Sequence, residues 1–493
     1  MIRYIRNLEL YDIDVRPLLM AFFIGGSIEV LSISEDYDET AAGVEDFTVT
    51  AVFDEDVKLS VAGSRGRFET TVTGGDCRDR KSFRNTLKLE LYRLLVRYTG
   101  EKLPWGDLTG VRPTQIAVKL LKGGATFEET ASFYRKEFDV SEAKARLATE
   151  VAKRELELTG EEDTEDAYCL YIGIPFCPSR CLYCSFTSYP IALYKDAAGV
   201  YIDKLAQELK LIAGICRGRR LKAIYIGGGT PSSLSGELTK RLMSAVGEAF
   251  PMARDVEFTV EAGRPDSITA EKLKTYLSYG ADRISINPQT MNGETLKVIG
   301  RAHSPQQTIE AFHLARDAGF ENINMDLIAG LPGENVHSME HTLSEIGKLG
   351  PESLTVHSLA LKRAAALSEN FADFESGINH DMEAMHELAS EYAASVGLVP
   401  YYLYRQKSIG GNLENIGYAR EGCECRYNVF IMEEFTDIMS AGAGAVTKLI
   451  KRNTAGERVR VDAVANCKSV TDYIDRFDEF MDRKKEAIYK KEG

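Results

Sequence analysis

The fold class that the sequence predicts is α/β: a partial barrel of six β/α units between an N-terminal α/β module and a C-terminal α+β region. Three observations carry this. From Tyr168 onward, six short apolar runs alternate with amphipathic helical windows, which is the signature of successive parallel strands. The runs are CLYIGI, LKAIYIGG, VEFTVEA, DRISIN, INMDLIAG and SLTVHSLA. Before them lie strand-like and helical stretches of a different rhythm, and after about residue 376 come helices with a small Gly-rich segment. Six strands are too few for a closed eight-stranded barrel, so the sheet is expected to stay open, with its chemistry at the carboxyl ends of the strands.

The N-terminal module, residues 1–160, reads as strands over Met1 to Leu8, Ser27 to Ser34, Phe47 to Phe53 and Phe68 to Val72. Leu87, Leu91, Leu94 and Leu95 fall on one face of a helix from Ser82 to Tyr98. Gly110 and Pro113 punctuate the chain before a helix starting near Thr114, and another starts near Ser141. The acidic stretch EEDTED, residues 161–166, reads as a solvated linker. The partial barrel is placed at residues 168–375, and residues 376–493 are expected to complete the substrate pocket.

Composition narrows the function classes. The 493 residues are 44% hydrophobic with a net charge of −14. So acidic a chain is a poor candidate for nucleic acid, which calls for a clustered basic face. No apolar run approaches the roughly 20 residues of a membrane span. The opening MIRYIRNLEL alternates like a strand and lacks the apolar core of a signal peptide, so we expect a cytoplasmic chain, and a monomer. Nine cysteines in such a chain do not suggest a disulfide framework.

Three of those cysteines, Cys177, Cys181 and Cys184, follow the first predicted barrel strand at once. Thiolates hold iron–sulfur clusters, and three on one loop leave the fourth iron open to a cofactor. Zinc is the competing reading, and it would want a fourth Cys or His nearby, which is not adjacent. Gly227 to Pro231 ends the second strand, where bare backbone can grip a polar ligand or simply make a tight turn. Glu261 closes the third strand, where a carboxylate at an apolar strand end needs a partner. Arg301 could take a carboxylate in two-point geometry or a surface salt bridge. Cys169 and Cys216 read as core, Cys423 and Cys425 as redox-active or structural, and His313 and His341 as helix-surface residues.

The Cys-x3-Cys-x2-Cys spacing is the signature of the radical S-adenosylmethionine (SAM) superfamily. YIGIPFCPSRCLYCSF, GGGTP, TVEAG, SINPQT, GRAH, NMDLIAGLPGE and GAGAVTK follow in order. Together, from about residue 168 to 450, they resemble the oxygen-independent coproporphyrinogen III oxidase family, which also contains heme chaperones. The N-terminal module with its GVRP segment is most similar to the HemZ-like branch. The resemblance implies a [4Fe-4S] cluster on Cys177, Cys181 and Cys184. It implies a SAM site of Tyr171, Gly228, Gly229, Thr230, Glu261, Ala360 and Val446. It places Tyr183, Gln289, Arg301 and Asp326 in a second SAM or substrate-side pocket. The implied activity is porphyrin and heme biosynthesis: oxidative decarboxylation of coproporphyrinogen III propionates to vinyl groups, giving protoporphyrinogen IX. An electron donor such as flavodoxin or ferredoxin is implied as well. A heme-carrying protein of the same fold, or another radical reaction on a tetrapyrrole, is the alternative. Gly173, Phe186 and Tyr427 depart from residues usual in the oxidases or the chaperones. Arg301, and less directly Arg112 of GVRP, are the candidates to meet an anionic tetrapyrrole.

Overall fold

In a computed structural model, the structure describes residues 1–23, 26–33, 47–160, 166–251, 256–360, 381–406, 412–453 and 458–492. Residues 161–165 of the expected linker at 161–166 lie outside them, as do residues 361–380 at the expected end of the partial barrel. The chain divides into two compact units: Met1–Lys153 with Leu403–Asn415, and Arg154–Tyr402 with Ile416–Gly493.

The first unit is a five-stranded sheet in the order β2-β1-β3-β4-β5. Its strands are β1 (Ile2–Arg6), β2 (Ile28–Ser32), β3 (Phe47–Phe53), β4 (Val57–Gly63) and β5 (Gly66–Val72). β1 runs parallel to both neighbours, and β3, β4 and β5 form an antiparallel meander. The apolar face of β3 and β4 (Val49, Leu59, Val61) shares a core with Leu87, Leu91, Leu94 and Leu95 of the helix Arg80–Thr99. Asp79 caps that helix through Lys81 N–H at 3.0 Å, and Gly100 ends it at φ 77°. Sequence periodicity missed β4 and the helix Asp12–Phe22. Residues 403–415 join this unit through Glu414, whose carboxylate accepts from Trp105 Nε1 at 2.7 Å and Lys144 Nζ at 2.6 Å.

The second unit carries an 11-stranded sheet. Its central strands are β6 (Ala167–Ile174), β9 (Arg220–Gly228), β10 (Glu257–Gly263), β11 (Arg283–Ile286), β12 (Asn322–Ala329) and β13 (Ser353–Ser358). All six pair in parallel in that order, the open partial β/α barrel that the alternating runs predict. Two-residue strands β7 (Phe176–Cys177) and β8 (Tyr189–Pro190) pair beside β6 and bracket the cysteine loop. Beyond β13 lie β14 (Val399–Arg405) and β15 (Glu414–Ala419). Beyond β6 lie β16 (Asp437–Ala441), β17 (Val446–Arg452) and β18 (Arg458–Ala465). β16 is a seventh parallel strand, and hydropathy alone did not separate it from the Gly-rich segment that follows. Among the described residues no helix is long and apolar enough to cross a membrane.

One buried ion pair ties the end of the chain to this sheet. Lys484, on the helix Phe477–Glu492, and Glu208 are both fully buried and in contact. Lys484 Nζ also donates to Ser440 O at 2.6 Å. Glu208 further accepts from Tyr473 OH at 2.6 Å, Gly442 N–H at 2.8 Å and Asn466 Nδ2 at 2.9 Å. Every lone pair of the carboxylate is used, which offsets the desolvation of both charges. Lys484→Met alone strands Glu208 and should cost about 3–5 kcal/mol by chemical unfolding. The double variant Glu208→Gln, Lys484→Met should recover most of that loss.

Candidate functional site

The site lies at the carboxyl ends of the parallel strands of the second unit. β6 delivers the chain through Pro175 into the loop that carries Cys177, Cys181 and Cys184, all partly exposed. That loop is pinned at several points. Tyr189 N–H donates to Pro175 O at 2.8 Å, Leu182 N–H to Ile299 O at 3.0 Å, and Cys184 N–H to Cys181 O at 3.1 Å. Thr230 N–H donates to Phe176 O at 2.7 Å, and Thr230 Oγ1 lies 3.5 Å from Cys177 Sγ. Burial raises the Cys177 thiol to about 11, helped by the neighbouring Cys184 and Cys181 sulfurs. A cation that stabilises thiolates would reverse that shift.

The glycines after β9 have a steric reason. A Cβ on Gly229 would stand 2.6 Å from Phe176 O and 3.0 Å from Cys177 Sγ. A Cβ on Gly227 would stand 2.9 Å from Glu261 Oε2. Gly228 takes φ 112°, which L side chains avoid. The GGG run therefore lets the cysteine loop and the Glu261 carboxylate close on bare backbone from two sides.

Glu261 lies two residues before the end of β10 and is half-buried. Its carboxylate accepts from Tyr225 OH and from the Gly228 N–H. Burial raises the carboxyl to about 7, and the Asp326 carboxylate adds to the rise. Tyr171 and Tyr225 sit opposite each other in the β6–β9 register. Their rings stack at 6.3 Å, and Tyr427 stacks on Tyr225 at 4.6 Å. Tyr427 opens the helix Arg426–Glu433, whose first N–H groups are capped by Glu257 at 2.6 and 3.1 Å. Cys425 donates to the same carboxylate at 3.4 Å, is fully buried, and has its thiol pushed well up by that burial.

The residues expected in a second pocket form two buried pairs, Arg301 with Tyr183 and Gln289 with Asp326. Arg301 is 8% exposed, and its guanidinium donates through Nε to Tyr183 OH at 3.1 Å and through Nη1 to Asn287 O. That burial excludes a surface salt bridge for Arg301. Gln289 holds φ 69°, donates its N–H to Asp326 O at 2.9 Å, and leaves a buried Oε1 without a partner among the described residues. An orphaned acceptor on a strained backbone is a position that a ligand donor would satisfy. Asp326 accepts from Asn324 Nδ2 at 2.6 Å and faces His357 Nε2 at 3.6 Å. Burial pushes its carboxyl up, but His357 and Asn324 outweigh that and hold it below the ordinary value.

Of the expected site residues, Tyr171, Gly228 and Glu261 converge, Thr230 and Gly229 meet Cys177, Tyr183 pairs with Arg301, and Gln289 pairs with Asp326. Ala360 follows β13, and Val446 begins β17 at the sheet rim, 37% exposed. Arg112 belongs to the first unit. Sequence reasoning missed Tyr225, Arg264, His357 and His303, and singled out Tyr427 only as a departure from the family pattern. Tyr225 was legible, since period two puts it on the face of Gly227. His303 was not: it is 3% exposed, and burial beside Arg301 and Arg264 lowers it to about 4.

Among the described residues no three cysteine, histidine or acidic side chains stand close enough together to enclose a metal. The cysteines are therefore placed by their loop. Their donor set fits an iron–sulfur cluster: three interacting thiols on one pinned loop, facing glycine backbone at the mouth of the parallel sheet.

This fold and loop are those of a radical SAM protein, and the comparisons agree. The radical SAM superfamily model matches residues 171–346. The chain is 42% identical over 408 residues to the oxygen-independent coproporphyrinogen-III oxidase-like protein HemZ of Bacillus subtilis, covering 82% of this chain and 81% of that one. It is 39% identical over 193 residues to the heme chaperone HemW of the same organism, 39% of this chain and 50% of that one. The solved coproporphyrinogen III oxidase HemN of Escherichia coli superposes with a TM-score of 0.52 at 25% identity, over 66% of this chain and 72% of that one. The chain belongs to the radical SAM superfamily, in the oxygen-independent coproporphyrinogen III oxidase-like family. Its cofactors are a [4Fe-4S] cluster and SAM.

Anaerobically reconstituted protein should hold about four irons and four sulfides at one site, and Cys181→Ala should lose most of both. Iron and sulfide assays with the visible absorbance check this, and tightly bound zinc in their place would contradict it.

Proposed function

We propose that the protein is an enzyme that decarboxylates propionate side chains of coproporphyrinogen III to vinyl groups, giving protoporphyrinogen IX. The observation that carries this reading is the match to the HemZ oxidase-like relative, 42% identical over 408 residues that cover 82% of the chain. When bound, the cluster and SAM supply a radical able to remove one hydrogen atom from a propionate. Loss of carbon dioxide and of one electron to a one-electron acceptor then leaves the vinyl group.

In this reading Cys177, Cys181 and Cys184 hold the cluster. Glu261 takes the ammonium of SAM, because its carboxylate is oriented by Tyr225 and Gly228 and needs a cation to ionise fully. The stacked rings of Tyr171, Tyr225 and Tyr427 wall the cofactor from water. Arg301 meets a carboxylate of substrate or of a second SAM through Nη2, which makes no hydrogen bond among the described residues. Lysine would reproduce that geometry poorly, so Arg301→Lys should reduce tetrapyrrole turnover well beyond any loss of cluster.

Similarity to heme chaperones supports a second reading, a heme carrier that keeps the same cofactors. Anaerobic incubation with SAM, a reductant and coproporphyrinogen III, followed by mass spectrometry, separates the two. The enzyme releases carbon dioxide in a SAM-dependent manner. Stoichiometric heme binding with no tetrapyrrole product would select the carrier.

Glu261→Ala should weaken SAM binding and 5′-deoxyadenosine formation while leaving iron content at the parental level. Protonation of Glu261 removes the carboxylate that a SAM ammonium would meet. SAM affinity should therefore be full above its folded value of about 7 and fall as pH drops below it, by about tenfold per unit. Equilibrium binding across pH checks this, and a flat profile in the parent protein would remove Glu261 from the SAM site.

A further inference from the structure

Arg264 has no role in the reading above, yet its geometry is tightly specified. At the end of β10, Gly263 turns the chain at φ 60°, and Arg264 follows with 2% exposure. Nε and Nη2 grip Asp266 in two-point geometry, at 2.9 and 2.8 Å. Nη1 is thereby aimed across the strand end into the cysteine loop. It donates to Ser179 Oγ at 3.2 Å and lies 3.7 Å from Cys181 Sγ, within donor reach of sulfur. Nη1 also reaches Ser179 O at 3.5 Å, so the buried guanidinium meets the cysteine loop at Ser179 and at the Cys181 sulfur and is turned away from solvent.

We infer that Arg264 is a positioning residue that sets the reduction potential of the cluster held by Cys181, with Asp266 as its counterweight. The inference rests on the cluster assignment of the proposed function. Reduction adds one negative charge to the cluster. A fixed positive charge and an N–H donor at a ligand sulfur stabilise that added charge and raise the potential. Asp266 moderates the effect and holds the guanidinium in place. Since one-electron reduction of the cluster precedes SAM cleavage, the pair would decide which donors can drive the reaction.

The test is a redox titration of the reconstituted full-length protein, without SAM, followed by electron paramagnetic resonance, with iron content measured in parallel. Arg264→Gln should keep parental iron and shift the midpoint to more negative potential, and Arg264→Lys should shift it in the same direction by less. Asp266→Asn keeps an acceptor for Nε but removes the opposing charge, so it should shift the midpoint to more positive potential. Opposite signs for Arg264→Gln and Asp266→Asn support the proposal. Parental potentials at parental iron content overturn it, as do shifts of the same sign. If Arg264→Gln loses its iron, Arg264→Lys and Asp266→Asn decide, and parental potentials in both overturn the role. A parent protein with no iron–sulfur signal would instead defeat the cluster assignment itself.

Discussion

The site depends on how closely the end of β9 approaches its neighbours. Gly229 presses against Phe176 O and Cys177 Sγ, and Gly227 lies against the Glu261 carboxylate, at distances no side chain would tolerate. Thr230, next in line, ties its N–H to Phe176 O and its hydroxyl to Cys177. One short segment of bare backbone thus sets the spacing between the metal-binding loop and the carboxylate. Parallel pairing makes this possible, because it brings the ends of β6, β9 and β10 to the same level.

Electrostatics divides the mouth of the sheet into two regions. The Asp326 carboxylate adds to the rise of the Glu261 carboxyl, and each buried carboxylate has its own relief. Tyr225 and the Gly228 N–H relieve Glu261, while His357 and Asn324 relieve Asp326 more strongly. On the cysteine side stand two buried guanidiniums, Arg264 and Arg301, with His303 neutral beside them. In a chain of net charge −14, this local concentration of cations suits an anionic cluster and anionic ligands.

The rear of the site is held from far along the chain. Ser440 pairs in register with Tyr171, and Gly442 stands against Gly173 O so closely that a Cβ would lie 2.4 Å away. Tyr201 bridges the two, donating to Gly173 O at 2.7 Å and accepting from Ala443 N–H at 2.9 Å. Glu208 and Lys484 lock the same turn from behind. The Gly442–Val446 segment therefore owes its position to the final helix and to β16, not to the six-strand core alone.

What the sequence determined by itself was what local pattern encodes. Short apolar runs alternating with helical windows placed the six parallel strands, and strand-end position placed the cysteine loop, the GGG run and Glu261, because those signals need only neighbours in the chain. Residue identity at matched motifs singled out Tyr171, Gln289, Arg301 and Asp326 as candidates. Only the tertiary structure decided the rest, since it depends on contacts distant in sequence. Tyr427 reaches the Tyr171–Tyr225 stack through a helix capped by Glu257, a partner 170 residues away. β16 joins the sheet because Asp437–Ala441 finds the open edge of β6, which no hydropathy pattern can announce. Arg264 reads as an ordinary charged residue after a strand. Burial, the Asp266 grip and the turn at Gly263 aim it at Cys181, and none of these is visible until the chain is folded.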